Sequence, residues 1–345
     1  MVNSIFLKTM GRKKILFICG SLNQTSMMHQ ISKHFEEYDC YFTPYYGDGL
    51  INYLVGKGFL GFSILNGHFR QKTEEYLHNN NLQVDYRGIK HNYDLVYTCA
   101  DLIFQQNIRN KKVILVQEGM TDPENLIFYL VKYLKLPRWI ASTSTMGISN
   151  MYTLFCVASY GYKNLFIRKG ANEEKIIVTG IPNFDNIHLV KNNDFPYKNF
   201  VLVCTSDMRE TYRYENRKKF IEQCVGIADG KPLIFKLHPH ENFNRAEHEI
   251  NKYAPGALVY TNGITDHMIA NCDVLITKYS SVVYVGLALG KIVYSKFDID
   301  ELKQLLPLQN NGTSAERIAR IGMHLLKGPS IEYDKIREAF DLKTA

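Results

Sequence analysis

Short apolar runs recur along the chain, and most lead through a loop into a stretch of helical spacing. In the first half they fall at residues 14–20, 94–98, 113–116 and 154–158, and the pattern at 27–35 reads as a helix. Runs that are apolar on both faces and separated by helix-length segments predict parallel strands. Parallel neighbours need crossovers of a dozen or more residues, which cover both faces of the sheet. The pattern pauses at the polar, proline-containing segment 191–199 and then restarts. Strands are expected at 200–204, 233–237, 257–260, 274–277 and 291–294, with helices at 216–227, 245–253, 265–271 and 281–289. The expectation is an α/β protein of two domains: 1–190, a linker at 191–199, and 200–345, whose last helix is a candidate to pack back on the first domain.

Composition narrows the class. With 46% hydrophobic and 22% charged residues the chain has globular balance and material for two cores, which excludes disordered and fibrous classes. No run approaches the ~18 apolar residues of a membrane span, and the first residues lack a signal peptide's apolar core and cleavage site, so a cytoplasmic location is expected. The seven cysteines are odd in number and show no C-x-x-C spacing. They read as free structural thiols. The charge of +7 suits a surface or cleft that handles anions. Lys and Arg are scattered, without a finger spacing or an aromatic RNA-binding motif, so nucleic acid is not an expected partner. Two apolar stretches, 50–65 and 126–140, mix aromatics with cations. The reading favours core helices over helices resting on a membrane surface.

In open parallel sheets, ligands sit beyond the carboxyl ends of the strands, so residues just after strands are the candidates. Lys236-Leu-His-Pro-His240 holds His238 at a strand's mouth, where it can donate to a phosphate oxygen or act as an acid; His240 is the lesser candidate. Tyr279-Ser280-Ser281 places paired hydroxyls where they either cap the next helix or join its N–H groups in holding an anion. Gln117-Glu118-Gly119 puts a carboxylate after a strand, positioned to deprotonate a hydroxyl, beside a glycine that allows close ligand approach. Asp122 and Glu124 flank Pro123 at a helix start. Arg209, in 205–211, presents a planar fork suited to a diphosphate, and Gly20-Ser21 opens a loop only loosely like a phosphate loop.

Together, Lys236-Leu-His-Pro239 and the later Cys272-Asp-Val-Leu-Ile-Thr-Lys-Tyr-Ser-Ser281 resemble the nucleotide-binding half of CDP-glycerol glycerophosphotransferases and related GT-B transferases. Gln117-Glu118-Gly119 with His238-Pro239 is similar to bacterial CMP-sugar (sialyl- or Kdo-) transferases. Lys278 departs from the glycerophosphotransferase pattern, which has Asp there. The resemblance implies two Rossmann-like domains with parallel sheets facing an interdomain cleft, and a metal-independent transferase without a cofactor. It would move a sugar or polyol phosphate to a hydroxyl of a bacterial surface glycan, such as capsule or lipopolysaccharide. Glu118 and His238 would be catalytic. Ser280, Ser281, Arg209, Lys236, Tyr279 and Gly180 would bind the donor, and Gly20, Ser21, Gly119 and Asp122 would lie on the acceptor side. Expected partners are a nucleotide-sugar donor, CMP or CDP ahead of UDP, and a glycan or lipid-linked acceptor, with peripheral contact at the inner membrane face. Alternatively, Ile176-Ile-Val-Thr-Gly-Ile-Pro-Asn-Phe-Asp185 and Arg209-Glu210 resemble segments of UDP-GlcNAc 2-epimerases, whose Ser-Gly-Gly signature is replaced here by Tyr279-Ser280-Ser281. A non-catalytic nucleotide-sugar-binding subunit is the third reading.

Overall fold

A computed structural model describes residues 11–58, 63–210, 213–328 and 331–341. The chain divides into two units, one running to Asp185 and resuming at Leu308, the other Asn186–Pro307. The boundary thus falls before the polar segment 191–199, whose Asn193 accepts a 2.7 Å bond from Asn271 within the second unit.

Unit 1 holds a six-stranded parallel sheet in the order β2-β1-β3-β4-β5-β6. Its strands are β1 (Lys14–Cys19), β2 (Asp39–Pro44), β3 (Leu95–Thr98), β4 (Lys112–Val116), β5 (Leu154–Val157) and β6 (Ile176–Val178). The central strands are buried almost without interruption, as sheets covered on both faces require. Its helices include α1 (Leu22–Ser32), α2 (Gly49–Gly56), α3 (Gly67–Asn79), α4 (Leu126–Leu134) and α5 (Tyr160–Lys169). Helix α1 starts earlier than its apolar pattern because Ser21 caps it. Phe17, in register between Phe42 and Tyr97, stacks on both at 5.2 and 5.1 Å, forming an aromatic row across three strands.

Unit 2 is a five-stranded parallel sheet, β11-β10-β7-β8-β9, made of β7 (Val201–Cys204), β8 (Leu233–Lys236), β9 (Leu258–Tyr260), β10 (Val274–Thr277) and β11 (Ile292–Tyr294). Among its helices are α6 (Arg217–Ala228), α7 (Phe243–Tyr253), α8 (Thr265–Asn271), α9 (Val282–Ala288) and α10 (Ile299–Leu305). Its core joins Val201, Val203, Phe235 and Ile276 to Ile221 and Cys224 of α6 and to Ala246 and Ile250 of α7.

From Leu308 the chain adds α11 (Ser314–Lys327) and α12 (Tyr333–Phe340) to unit 1. Asp185 fixes the return: its carboxylate accepts from the Asn310 and Ser314 amides at 2.8 and 2.6 Å, capping α11. Helix α11 packs on α1 and buries Ile318, Ile321 and Leu325. Tyr97 Oη donates to Ile318 O at 3.0 Å, and Gly322 makes room, because a Cβ there would stand 2.0 Å from that oxygen. The cysteines are free, and burial pushes the thiols of Cys156, Cys224 and Cys272 up to about 12. Among the described residues no helix is long and apolar enough to cross a membrane.

The stretch 126–140 corrects the core expectation. In α4 only Phe128 and Val131 are buried, and Leu126, Tyr133 and Leu134 stand exposed. Of the stretch 50–65, α2 has no buried residue, and residues 59–62 lie outside the described residues.

Candidate functional site

Each sheet reverses its strand order once, between β1 and β3 in unit 1 and between β7 and β10 in unit 2. Such reversals leave a crevice at the carboxyl ends of the strands. In unit 1, Ser21, next to the end of β1, accepts from the Gln24 amide at 3.3 Å and donates to Glu118 Oε1 at 2.8 Å. Gln24 Nε2 donates to Glu118 Oε2. The carboxylate from the end of β4 therefore lies at the N-terminus of an 11-residue helix, where negative charge is favoured. It also lies beside the end of β3, where burial pushes the Cys99 thiol well up and the Glu118 charge adds to the effect.

The surroundings explain why the loop holds still. Gln117 is fully buried; its Oε1 accepts from Ala158 N at 2.9 Å and its Nε2 donates to Gly119 O at 2.8 Å. Gly20 leaves room for the Gln24 amide, since a Cβ would stand 1.8 Å from Gln24 Oε1. Gly20, Ser21 and Glu118 thus meet, as their positions after strands suggested. Gly119 is not needed for space: a Cβ there meets only Phe184, at an ordinary 3.6 Å. Asp122 is exposed and bonded to Thr143 at 2.8 Å. The sequence reading overlooked Gln24 and Gln117. Ser21-Leu-Asn-Gln24 has the spacing of a capping box, which would have drawn attention to Gln24.

In unit 2, adjacent β7 and β8 bring Asp207, His238 and His240 together, with ligand-type atoms within 4.8 Å of one another. Asp207 Oδ2 lies 4.0 Å from His238 Nδ1 and 3.6 Å from His240 Nδ1. His238 Nδ1 accepts from the His240 amide at 3.3 Å, and the His238 amide donates to Thr205 Oγ1 and Glu241 Oε2 at 3.0 and 3.1 Å. Burial lowers the imidazole below its usual pKa, against the opposing pull of Asp207. Beneath it, Glu241 pairs with Arg217, Arg217 with Glu215 at 2.8 Å, and Glu215 with Lys278 at 2.7 Å. This buried ionic chain was not legible, because its members are scattered along the sequence. It accounts for Lys278, whose ammonium also sits 4.3 Å from the Phe220 ring centroid.

Several donor-side expectations change. Arg209 gives its fork to Glu249 in two 2.8 Å bonds, so a diphosphate would have to displace a carboxylate; Thr211, in the same loop, lies outside the described residues. Lys236 is buried and spends its ammonium on Leu237 O and Thr261 O at 3.1 and 3.0 Å. Gly180 belongs to unit 1, and a Cβ there would stand 2.3 Å from Asn310 Nδ2 and 2.5 Å from Ser314 Oγ, both of the returning chain. Ser281 occupies the N-cap position of α9 without making a side-chain cap bond, Ser280 Oγ accepts weakly from Val282 N at 3.5 Å, and Tyr279 is half exposed against Phe297. An Asp-x-Asp sequence occurs at Asp298-Ile299-Asp300, where Asp298 caps α10 and Asp300 pairs with Lys303.

Two parallel α/β units with these topologies define a Rossmann-like pair, the GT-B-like class of fold. Solved structures share it over nearly the whole chain. A UDP-N-acetylglucosamine 2-epimerase covers 94% of this chain and 99% of its own, with a TM-score of 0.56 at 14% identity. The S. aureus MnaA–UDP co-structure covers 93% and 99%, with 0.58 at 13%. The Neisseria meningitidis UDP-GlcNAc 2-epimerase bound to UDP-GlcNAc covers 91% and 100%, with 0.53 at 11%. No protein-family model matches the chain. No curated protein matches it in sequence either.

Proposed function

We propose that the chain is an enzyme acting on a nucleotide-activated sugar, with unit 2 holding the nucleotide and Glu118 of unit 1 acting as the base. The observation that carries this is the Glu118 carboxylate, held through both oxygens by Ser21 and Gln24 at the reversal of unit 1's strand order. A carboxylate held this way keeps lone pairs for a substrate proton and a fixed direction of approach. On unit 2, the lowered pKa makes His238 neutral near pH 7, and because Nδ1 accepts from His240, Nε2 carries the hydrogen. That N–H suits a phosphate oxygen, with the hydroxyls of Tyr279, Ser280 and Ser281 as further donors.

The reaction we favour is inversion at the carbon beside the anomeric centre of a UDP-sugar. A base takes the C2 proton as the C1–O bond to UDP breaks, its electron pair leaving with the diphosphate and a C1=C2 double bond forming; a proton returned to the other face of C2 and re-attachment of UDP at C1 give the epimer, with no acceptor and no redox cofactor. The solved structures of like fold support this choice, since they include UDP-GlcNAc 2-epimerases and complexes with UDP and UDP-GlcNAc. They favour uridine over the cytidine that the transferase resemblance implied. A second reading, sugar transfer to a glycan or lipid-linked hydroxyl, is favoured by Tyr279-Ser280-Ser281, with Ser281 exposed, where the epimerase signature would stand.

The test is UDP-GlcNAc alone in D2O, followed by NMR. Deuterium at C2 and a new epimer, both reduced about 10²-fold or more in Glu118→Gln, are the expected result. Unchanged substrate together with a rise in melting temperature on UDP would select the transferase reading. No response to UDP, CDP, CMP or GDP would sink the nucleotide-sugar assignment.

A further inference from the structure

We infer that unit 1 docks on an anionic phospholipid surface through α4 and the segment that follows it. A nine-residue helix that gives only Phe128 and Val131 to the core would ordinarily present polar residues to water. Here the outer positions are Leu126 (74% exposed), Tyr133 (72%) and Leu134 (63%), with Ile127, Tyr129 and Leu130 also open. The apolar surface continues through Leu136, Trp139 and Ile140. A groove of about 470 Å³ shares its lining between Leu136 and Trp139 on this side and Gly49 and Ile51 of α2, whose neighbouring Leu50 and Tyr53 stand 72% and 60% exposed. So large a contiguous apolar patch marks a docking surface.

Charge identifies the occupant. Lys132, Lys135, Arg138 and Arg109 are interleaved with or border the apolar side chains, and Arg109, Lys135 and Arg138 line the groove. The acids nearby are engaged or buried: Glu124 accepts from Tyr129 at 3.1 Å, Asp122 is bonded to Thr143, Asp48 is paired with Arg87, and Asp101, fully buried beside Arg138, which donates to its carbonyl at 2.7 Å, accepts from the Gly147 and Ser149 amides. Exposed Leu, Ile, Tyr and Trp side chains interleaved with cations suit an anionic bilayer surface, where each Lys or Arg near the headgroups adds about 1 kcal/mol. A second copy of this chain fits less well, because a twofold contact would set the same cations against each other. A nine-residue helix is about 14 Å long and too short to span, so it lies in the interface plane.

Trp139 is the chain's single tryptophan and reports the contact directly. The full chain is titrated with phosphatidylcholine vesicles, with and without phosphatidylglycerol, while Trp139 emission and co-sedimentation are followed. The expected result is a blue shift and sedimentation with the anionic vesicles that weaken as salt is raised. Arg109→Glu/Lys135→Glu should lower partitioning at least about tenfold, from the per-charge contribution above. Leu126→Ser/Tyr133→Ser should abolish the shift, and both pairs replace exposed residues and should keep the native far-UV circular dichroism. Equal binding to neutral vesicles, no binding to either, or an emission shift that instead follows concentration-dependent dimerisation would each overturn the inference. None of these outcomes bears on the nucleotide-sugar assignment.

Discussion

Lys169 is 1% exposed, its ammonium has no hydrogen-bond partner among the described residues, and it lies 5.8 and 6.0 Å from the ring centroids of Phe128 and Phe166. Burial pulls its pKa from 10.5 down to about 8, against the pull of Glu124 and Asp122 in the other direction. Below about pH 8 both folded and unfolded chains carry the proton, and the folded state bears the cost of a buried charge. Between about 8 and 10.5 the unfolded chain binds more protons, so this group makes stability rise with pH across that window. Lys169→Met, which keeps the volume and removes the charge, should be more stable than the parent at pH 7, by up to about 3 kcal/mol from the size of the shift. Denaturant melts near pH 7 and near pH 10 should show the gap closing as the parent loses its proton. A gap of the same size at both pH values would refute the account.

Helix α11 shows how one position ties an element to a sheet. Its Gly322 stands where a Cβ would meet the Tyr97 hydroxyl, which already donates to Ile318 O. Gly322→Ala gains helix propensity but must push Tyr97 off that bond and out of the Phe17 stack. The net cost should be about 1–3 kcal/mol, seen as a lower melting temperature with unit 2 unchanged. A rise would mean that the tyrosine yields freely. The elements legible in the sequence were those whose environment is uniform. β1, β3, β4 and β5 are apolar but for Lys14, Thr98 and Lys112 at their ends, because both faces are covered, whereas β2 is an edge strand whose first half, Asp39 to Tyr41, is only partly buried and so mixes polar with apolar residues. β6 has three residues, and α3 buries only Thr73 and Leu77. Helix α4 misled for another reason: apart from Lys132 it is apolar at every position, and such a pattern does not say which face the fold covers. At the site, Glu118, Ser21 and Gly20 were legible because position after a strand is a local signal. The fates of Arg209, Lys236 and Gly180 were set by Glu249, Thr261 and Asn310, which only the tertiary fold brings near.

At the scale of the molecule, the chain leaves unit 1 at Asp185, builds unit 2 and returns at Leu308. Asp185 is the fastening on return, through its bonds to the Asn310 and Ser314 amides. Asp185→Ala removes the cap and should cost about 1–2 kcal/mol. Hydrogen exchange should locate the loss: amides of α11 and of its contacts with α1 exchange faster, while those of unit 2 keep their rates. Equal loss in both units would show that they unfold together.

That excursion also dictates an order of events during translation. Unit 2 is a single uninterrupted segment, so all of it has been synthesised before α11, the piece that buries Ile318, Ile321 and Leu325 in unit 1, reaches the end of the ribosomal tunnel. At roughly 5–20 residues per second the first sheet waits several seconds without that cover. A nascent chain of this plan closes its inner unit first and its outer unit last, and chaperone demand should peak in the interval between them.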